Sequence, residues 1–215
     1  MDDKSLPPPN FALTAAIFEG ALVFLAVGLG WLTGRSPLET LHWDASAILL
    51  TPLMIVPPLI LMLLCMYVPV RPFSDILQVA DQTLVPLFRP YSVAEMAIIS
   101  ALAGLGEEML FRGVFQASLA RWAASGDVPM TGTFLGGSAA AWLALIVVAV
   151  LFGLAHAVNL GYALMAGLIG LYLGWLWMVS DSLMIPIITH AIYDFLALLY
   201  LVKIRHPRLT IDQHV

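Results

Sequence analysis

Long apolar stretches are the feature of this sequence that most restricts its fold. Six of them cover residues 10–33, 46–69, 92–122, 137–157, 160–180 and 182–203. A helix needs about 20 mostly apolar residues to cross a bilayer, whereas membrane β-barrels use short segments that alternate apolar and polar residues. The long runs therefore predict an all-α polytopic membrane helix bundle with about six transmembrane helices.

The composition also indicates the surroundings of the chain. Hydrophobic residues make up 61% of the 215 residues and charged residues only 11%, with a formal net charge of −5. The sequence contains no basic patch with interleaved aromatic residues, the pattern that is typical of a nucleic-acid-binding surface. We expect the lipid bilayer as a partner and no nucleic acid.

The segment between the second and third spans, residues 70–91, has an amphipathic pattern. Its apolar residues recur at helical spacing, and Pro72 and either Pro86 or Pro90 bound the pattern. Such a segment predicts one helix that lies in the plane of the membrane interface. The alternative is a polar loop that carries some apolar side chains.

Lysine and arginine predict the orientation, because cytoplasmic loops collect these residues. With six spans, the side of both termini holds Lys4, Arg71, Arg89, Lys203, Arg205 and Arg208. The opposite side holds Arg35 and Arg121. We expect an integral membrane protein with both termini in the cytoplasm.

Several ionisable residues lie inside the predicted spans. A charged side chain at the bilayer centre costs about 2.5–3.5 kcal/mol on insertion scales, so each one is a functional candidate. The candidates are Glu107, Glu108 and Arg112 in the third span, His156 in the fourth, and His190 and Asp194 in the sixth. We interpret Glu19 and Glu95 differently, as near-interface residues or polar packing.

Helical spacing separates the two adjacent glutamates. Glu108 and Arg112 are four residues apart with the acid first, which is the favourable order for an ion pair on one helix face. Glu107 points about 100° away from Glu108 around the helix. We therefore expect Arg112 to neutralise Glu108 while Glu107 faces a cavity.

Two histidines provide partners for Glu107. His156 follows Phe152 by four residues, and Asp194 follows His190 by four residues. If the third, fourth and sixth spans pack together, both imidazoles meet Glu107 in one pocket. A carboxylate and an imidazole that share a water form a general base, and a second imidazole can donate to an oxyanion. This set of groups describes amide hydrolysis without a serine or cysteine nucleophile.

Other functions use the same residue types. Zinc is the alternative to direct water activation, with Glu107, His156 and His190 as its ligands, although no HExxH motif is present. We predict no other cofactor. A proton- or ion-coupled transporter would use these residues as a relay, and a catalytically idle scaffold or immunity protein would keep them without turnover.

The three motifs together resemble the CPBP intramembrane proteases, which include type II CAAX prenyl endopeptidases and bacterial homologues described as abortive-infection proteins. The family pattern is EExxxR, then FxxxH, then HxxxN or HxxxD. Here the three motifs are EEMLFR, FGLAH and HAIYD, in that order. The resemblance covers about residues 92–201.

The resemblance implies an activity and a role for each motif. The activity is that of an intramembrane endopeptidase, acting on a membrane-associated peptide or protein. The implied roles are water activation by Glu107 and His156, support by Glu108 and Arg112, and oxyanion stabilisation by His190 with Asp194. The family has been described both as metalloproteases and as glutamate-type proteases, so the zinc alternative stays open.

The expected domain organisation follows from the position of the motifs. Residues 1–91 form an N-terminal region of two spans and the interfacial helix. Residues 92–203 form the catalytic membrane core, which contains all three motifs. Residues 204–215 form a cytoplasmic tail.

Overall fold

The computed structural model describes residues 10–43, 45–68, 70–124 and 137–205. Its α-helices are α1 (Phe11–Thr33), α2 (Ala45–Met54), α3 (Val56–Tyr67), α4 (Arg71–Val79), α5 (Val85–Phe88), α6 (Val93–Glu108), α7 (Ala117–Ala123), α8 (Ala139–Ala155), α9 (Leu160–Ser180) and α10 (Met184–Leu199). Three π-helical segments continue α4, α6 and α10, namely Ala80–Leu84, Met109–Gln116 and Tyr200–Arg205. These ranges contain no strand, which confirms the all-α membrane bundle.

Each predicted span corresponds to helical structure. Among the described residues, Phe11–Thr33, Leu160–Ser180 and Met184–Arg205 are long and apolar enough to cross a membrane. Thr51–Tyr67 and Ala139–Ala155 are shorter apolar helices, and they lie in the second and fourth predicted spans. The third span is α6, its π-helical continuation and α7.

The second span differs from the prediction because it is interrupted at Ile55. The following helix, α3, begins with a proline in its first turn. Proline lacks the backbone N–H that an uninterrupted helix would use, and its ring disfavours helical geometry in the residue before it. Pro57 and Pro58 therefore start a new helix instead of continuing α2.

The predicted amphipathic helix is present between the second and third spans. It runs without a break from Arg71 through the π-helical segment to Phe88. Its buried side chains are Ile76, Val79, Ala80, Val85 and Phe88. Asp75, Gln78 and Asp81 lie on its exposed side, so the apolar pattern packs against the bundle.

Glu95 has a structural role that the sequence analysis did not name. It forms a capping box at the start of α6, in which Ser92 Oγ accepts from the Glu95 N–H at 3.2 Å. In return, Glu95 Oε2 accepts from the Ser92 N–H at 2.8 Å. Such a box satisfies two backbone donors that have no partner within the helix.

Close backbone contacts position α1 and α10 beside α6. A Cβ atom at Gly104 would lie 2.9 Å from the carbonyl oxygen of Ile187 in α10. A Cβ atom at Gly106 would lie 2.5 Å from the carbonyl oxygen of Glu19 in α1. Small residues at helix contacts let two backbones approach in this way. The result is that side chains of three helices meet next to Glu107.

The predicted domain boundaries and the cytoplasmic orientation stay predictions. Lys4 and Arg208, which contribute to the orientation, lie outside the described residues. The predicted tail, residues 204–215, also lies outside them apart from its first two residues.

Replacement of Gly106 tests the α1–α6 contact. We expect Gly106→Ala to lower the free energy of unfolding by about 1–3 kcal/mol, because the added methyl group overpacks a backbone contact. Gly28→Ala is the matched control, since a Cβ at Gly28 meets no atom within 4 Å. Thermal unfolding in detergent measures both variants. Equal melting temperatures for the two variants would contradict the contact.

Candidate active site

A buried ion pair lies behind the candidate site. Arg112 Nη1 donates to Glu108 Oε1 at 2.7 Å, and both side chains are fully buried. The other terminal nitrogen of the guanidinium, Nη2, donates to the carbonyl oxygen of Gly170 at 2.8 Å. Its Cζ atom also lies 4.7 Å from the centroid of the Phe152 ring, a cation–π contact. The pair that the spacing predicts is therefore formed.

The helix around this pair is wider than a regular α-helix. Residues Met109–Gln116 are π-helical. Arg112 therefore lies within a π-helical segment that begins directly after Glu108. An α-helix has about 3.6 residues per turn, and this value does not hold in the π-helical segment. Segments of π-helix are rare and are frequent at functional sites, because the altered turn changes the direction of side chains.

Glu108 also orients His190, a contact that the sequence did not predict. His190 Nδ1 lies 2.7 Å from Glu108 Oε1, and the carboxylate can only accept, so Nδ1 carries the proton. The other ring nitrogen, Nε2, lies 3.4 Å from Asp194 Oδ2 and 4.0 Å from Glu107 Oε2. His190 therefore has carboxylates at both ring nitrogens.

His156 faces Glu107 from the end of α8. Its Nδ1 lies 2.8 Å from the carbonyl oxygen of Phe152, which can only accept a hydrogen bond. The proton of the neutral imidazole is therefore on Nδ1, and Nε2 presents a lone pair. That Nε2 atom lies 3.6 Å from Glu107 Oε1. The imidazole also stacks on the Phe152 ring, with 4.4 Å between the ring centroids.

Two adjoining cavities open beside these groups. Glu107, His156 and Asp194 line a cavity of about 230 Å³ whose remaining wall is mostly apolar. His190, His156 and Asp194 line a smaller one of about 70 Å³. The structure thus brings four of the six predicted residues to cavity walls, with the Glu108–Arg112 pair behind them.

Several polar residues that the sequence analysis did not assign to the site also line these cavities, including Glu19, Ser100, Tyr162 and Tyr193. Glu19 of α1 lines the larger cavity. Tyr162 of α9 lines both cavities. Glu19 belongs to no recognisable motif, and only the packing of α1 on α6 reveals its position. Tyr162 follows Asn159, whose side chain caps α9, and it has no sequence signal of its own.

Zinc is the metal that the sequence leaves open, and its ligand geometry can be tested here. Glu107 and the two histidines have suitable donor atoms for zinc. Among the described residues, however, no three His, Cys, Asp or Glu side chains are grouped so that they could hold a metal ion. We therefore derive no step through zinc.

Comparison with known families identifies the chain. A family model described as type II CAAX prenyl endopeptidase Rce1-like matches residues 89–196, half of the chain. The chain belongs to this family. Comparisons with curated proteins and with solved structures found no match. Membership in the Rce1-like family confirms the resemblance drawn from the three motifs and implies an intramembrane protease of the CAAX type.

The Glu108–Arg112 pair generates a stability prediction. We expect Glu108→Gln to cost about 3–5 kcal/mol of unfolding free energy, because it leaves the buried guanidinium without its counter-charge. The control is Asp81→Asn, which removes a partly exposed ion pair with Arg205. That change should cost no more than about 1 kcal/mol. Denaturant unfolding compares the variants, and similar losses for both would contradict the proposed importance of burial.

Proposed function

We propose that this protein is an intramembrane endopeptidase in which Glu107 and His156 activate the attacking water. The observation that carries the proposal is the pair of acceptors at the cavity wall, Glu107 Oε1 and His156 Nε2, 3.6 Å apart. Two acceptors cannot hydrogen-bond to each other. A water molecule that donates one hydrogen to each atom satisfies both and directs its lone pairs into the cavity.

His190 is proposed to stabilise the oxyanion. Its Nδ1–H donates to Glu108, and its Nε2 atom lies near the carboxylates of Glu107 and Asp194. Protonation of Nε2 gives an imidazolium with a carboxylate next to each nitrogen, an arrangement that opposite charges favour. The Nε2–H can then donate to a carbonyl oxygen as it becomes negative.

The proposed reaction needs only water as co-substrate. The water oxygen bonds to the carbonyl carbon while Glu107 and His156 take its proton. The carbonyl oxygen becomes an oxyanion next to His190. The C–N bond then breaks, and the proton held by Glu107 and His156 passes to the leaving nitrogen, which gives a carboxylic acid and an amine.

The cavity supports a membrane-associated peptide or protein as the substrate. Its lining includes Met62, Ile76, Leu77, Leu84 and Leu198 beside the polar groups. An apolar wall with a few directed polar groups is typical of a site that orients an apolar ligand. We further propose cytoplasmic termini, on the distribution of lysine and arginine, and a bacterial inner or plasma membrane, because the short loops resemble the bacterial branch of the family.

Replacement of Glu107 tests the proposed function. We expect Glu107→Ala to reduce cleavage of a library of membrane-tethered reporter peptides by about 10²–10⁴-fold, the contribution of a general base. Glu39→Gln is the control, because Glu39 is an exposed acid that does not line the cavity. This variant should cleave at the wild-type rate. Unchanged cleavage by the Glu107 variant would contradict the proposal.

Elemental analysis of the same purified proteins decides the catalytic type. Stoichiometric zinc in chelator-washed wild type, lost in Glu107→Ala, would make Glu107 a zinc ligand. Metal-free cleavage that the substitution abolishes would make Glu107 and His156 the water-activating pair. Each outcome assigns one catalytic type to the site.

Two substitutions at Asp194 separate hydrogen bonding from charge. Asparagine keeps an acceptor for His190 and adds an N–H donor, so we expect Asp194→Asn to stay within about tenfold of wild-type kcat. Asp194→Ala removes both functions and should lose about 10²–10³ in kcat, comparable to loss of an oxyanion-hole contact. Wild-type kcat for Asp194→Ala in a steady-state assay would remove Asp194 from the mechanism.

A further inference from the structure

We propose that Glu19 and Ser100 form a recognition subsite that selects a positively charged side chain close to the scissile bond. The subsite would favour substrates with lysine or arginine there and disfavour acidic ones. This inference rests on the proposed peptidase function, and it adds a preference to that function. It also gives α1, which lies outside the range matched by the family, a role in substrate choice.

Glu19 is held at the cavity by the close contact between α1 and α6. Its backbone carbonyl lies against Gly106, the residue before Glu107. Its side chain lines the same cavity as Glu107, His156 and Asp194. The Oε2 atom is buried and has no hydrogen-bond partner among the described residues. Burial of such an oxygen without a partner is costly, so a donor from a substrate or water is expected there.

Ser100 provides an independent polar group in the same cavity. It precedes Glu107 by seven residues, about two helical turns, and therefore lies on the same face of α6. The side chain is only 2% exposed, and its Oγ atom has no hydrogen-bond partner among the described residues. It lines the cavity together with Glu19. Two buried polar atoms in the same cavity, Glu19 Oε2 and Ser100 Oγ, thus lack a partner among the residues that the structure describes.

The charges around the cavity determine which partner suits it. The lining contains the carboxylates of Glu19, Glu107 and Asp194 and the imidazole of His156, and it contains neither lysine nor arginine within the described part of the chain. Arg112 lies behind the wall and binds Glu108 and Gly170. A cationic group is therefore attracted into the cavity, and an anionic group would meet like charges, which is how binding sites exclude wrong ligands.

The apolar part of the wall also suits lysine and arginine. Met62, Met66, Ile76 and Leu77 line the same cavity. The long aliphatic stem of a lysine or arginine packs on such a surface while its charged end reaches a polar group. A small cationic side chain without this stem would leave the wall uncovered.

The position of the subsite predicts where the charge lies in the substrate. Seven helical residues span about 10 Å, which is the separation of Ser100 and Glu107 along the axis of α6. An extended peptide covers about 3.3–3.6 Å per residue. A side chain within about three residues of the scissile bond therefore reaches the subsite while water attacks at Glu107.

The test uses one reporter peptide that the wild type cleaves at a mapped bond. Each of the three residues on either side is replaced in turn by Lys, Leu or Glu, and kcat/KM is measured for every peptide. At one position we expect the wild type to prefer Lys over Glu by about tenfold or more, as close charge pairs do at interfaces. Glu19→Gln should bring this ratio below about threefold, and Glu19→Lys should invert it.

The preference is the ratio of kcat/KM for the Lys peptide to kcat/KM for the Glu peptide with one variant. A general loss of activity affects both values and cancels from this ratio. Ser100→Ala should lower the preference for Lys by a smaller factor of about three, because it removes a neutral acceptor. Glu39→Gln, the exposed control, should keep the wild-type ratio. Thermal unfolding shows which variants are folded, and if Glu19→Lys is not, the ratio for Glu19→Gln decides.

The outcomes separate this inference from the function on which it rests. Glu107-dependent cleavage without a preference between Lys and Glu would overturn the subsite and leave the peptidase intact. The same holds if Glu19→Gln keeps the full wild-type preference. If wild type cleaves no peptide, or cleaves independently of Glu107, both proposals fail.

Discussion

The arrangement of the site depends on one oxygen atom, Glu108 Oε1, which accepts from both Arg112 and His190 at 2.7 Å. Through Arg112 this interaction extends to the backbone of α9 at Gly170 and to the Phe152 ring in α8. Buried ionic groups are costly in a membrane unless they are paired. The network therefore joins α6, α8, α9 and α10 around Glu108.

The network also gives a physical reason for the spacing within each motif. Phe152 and His156 are one helical turn apart because the carbonyl of Phe152 accepts from His156 Nδ1 while its ring stacks on the imidazole. The Arg112 guanidinium also contacts the Phe152 ring. Glu108 supports the site from behind, and Glu107, the next residue in the chain, faces the cavity. Adjacent glutamates thus serve different purposes.

Local patterns predicted a large part of this structure. The long apolar runs located the spans, the amphipathic segment located the helix from Arg71 to Phe88, and the i, i+4 spacing predicted the Glu108–Arg112 pair. The interruption at Ile55 was missed, although its cause, consecutive prolines, is local. The contact between Glu108 and His190 was missed because it joins residues 82 positions apart, and periodicity describes only neighbours on one helix.

By itself, the sequence determined the membrane environment, the all-helical class, the family and the residues that carry ionisable groups into apolar spans. Each of these follows from composition, continuous hydrophobicity or short spacing, which act within one helix. Only the tertiary structure decided which of these ionisable groups line the same cavity. The approach of α1 at Gly106 brings Glu19 into the cavity, and the approach of α10 at Gly104 accompanies the placement of His190 between three carboxylates. Contacts between helices depend on the shapes of both surfaces, and no single segment contains that information.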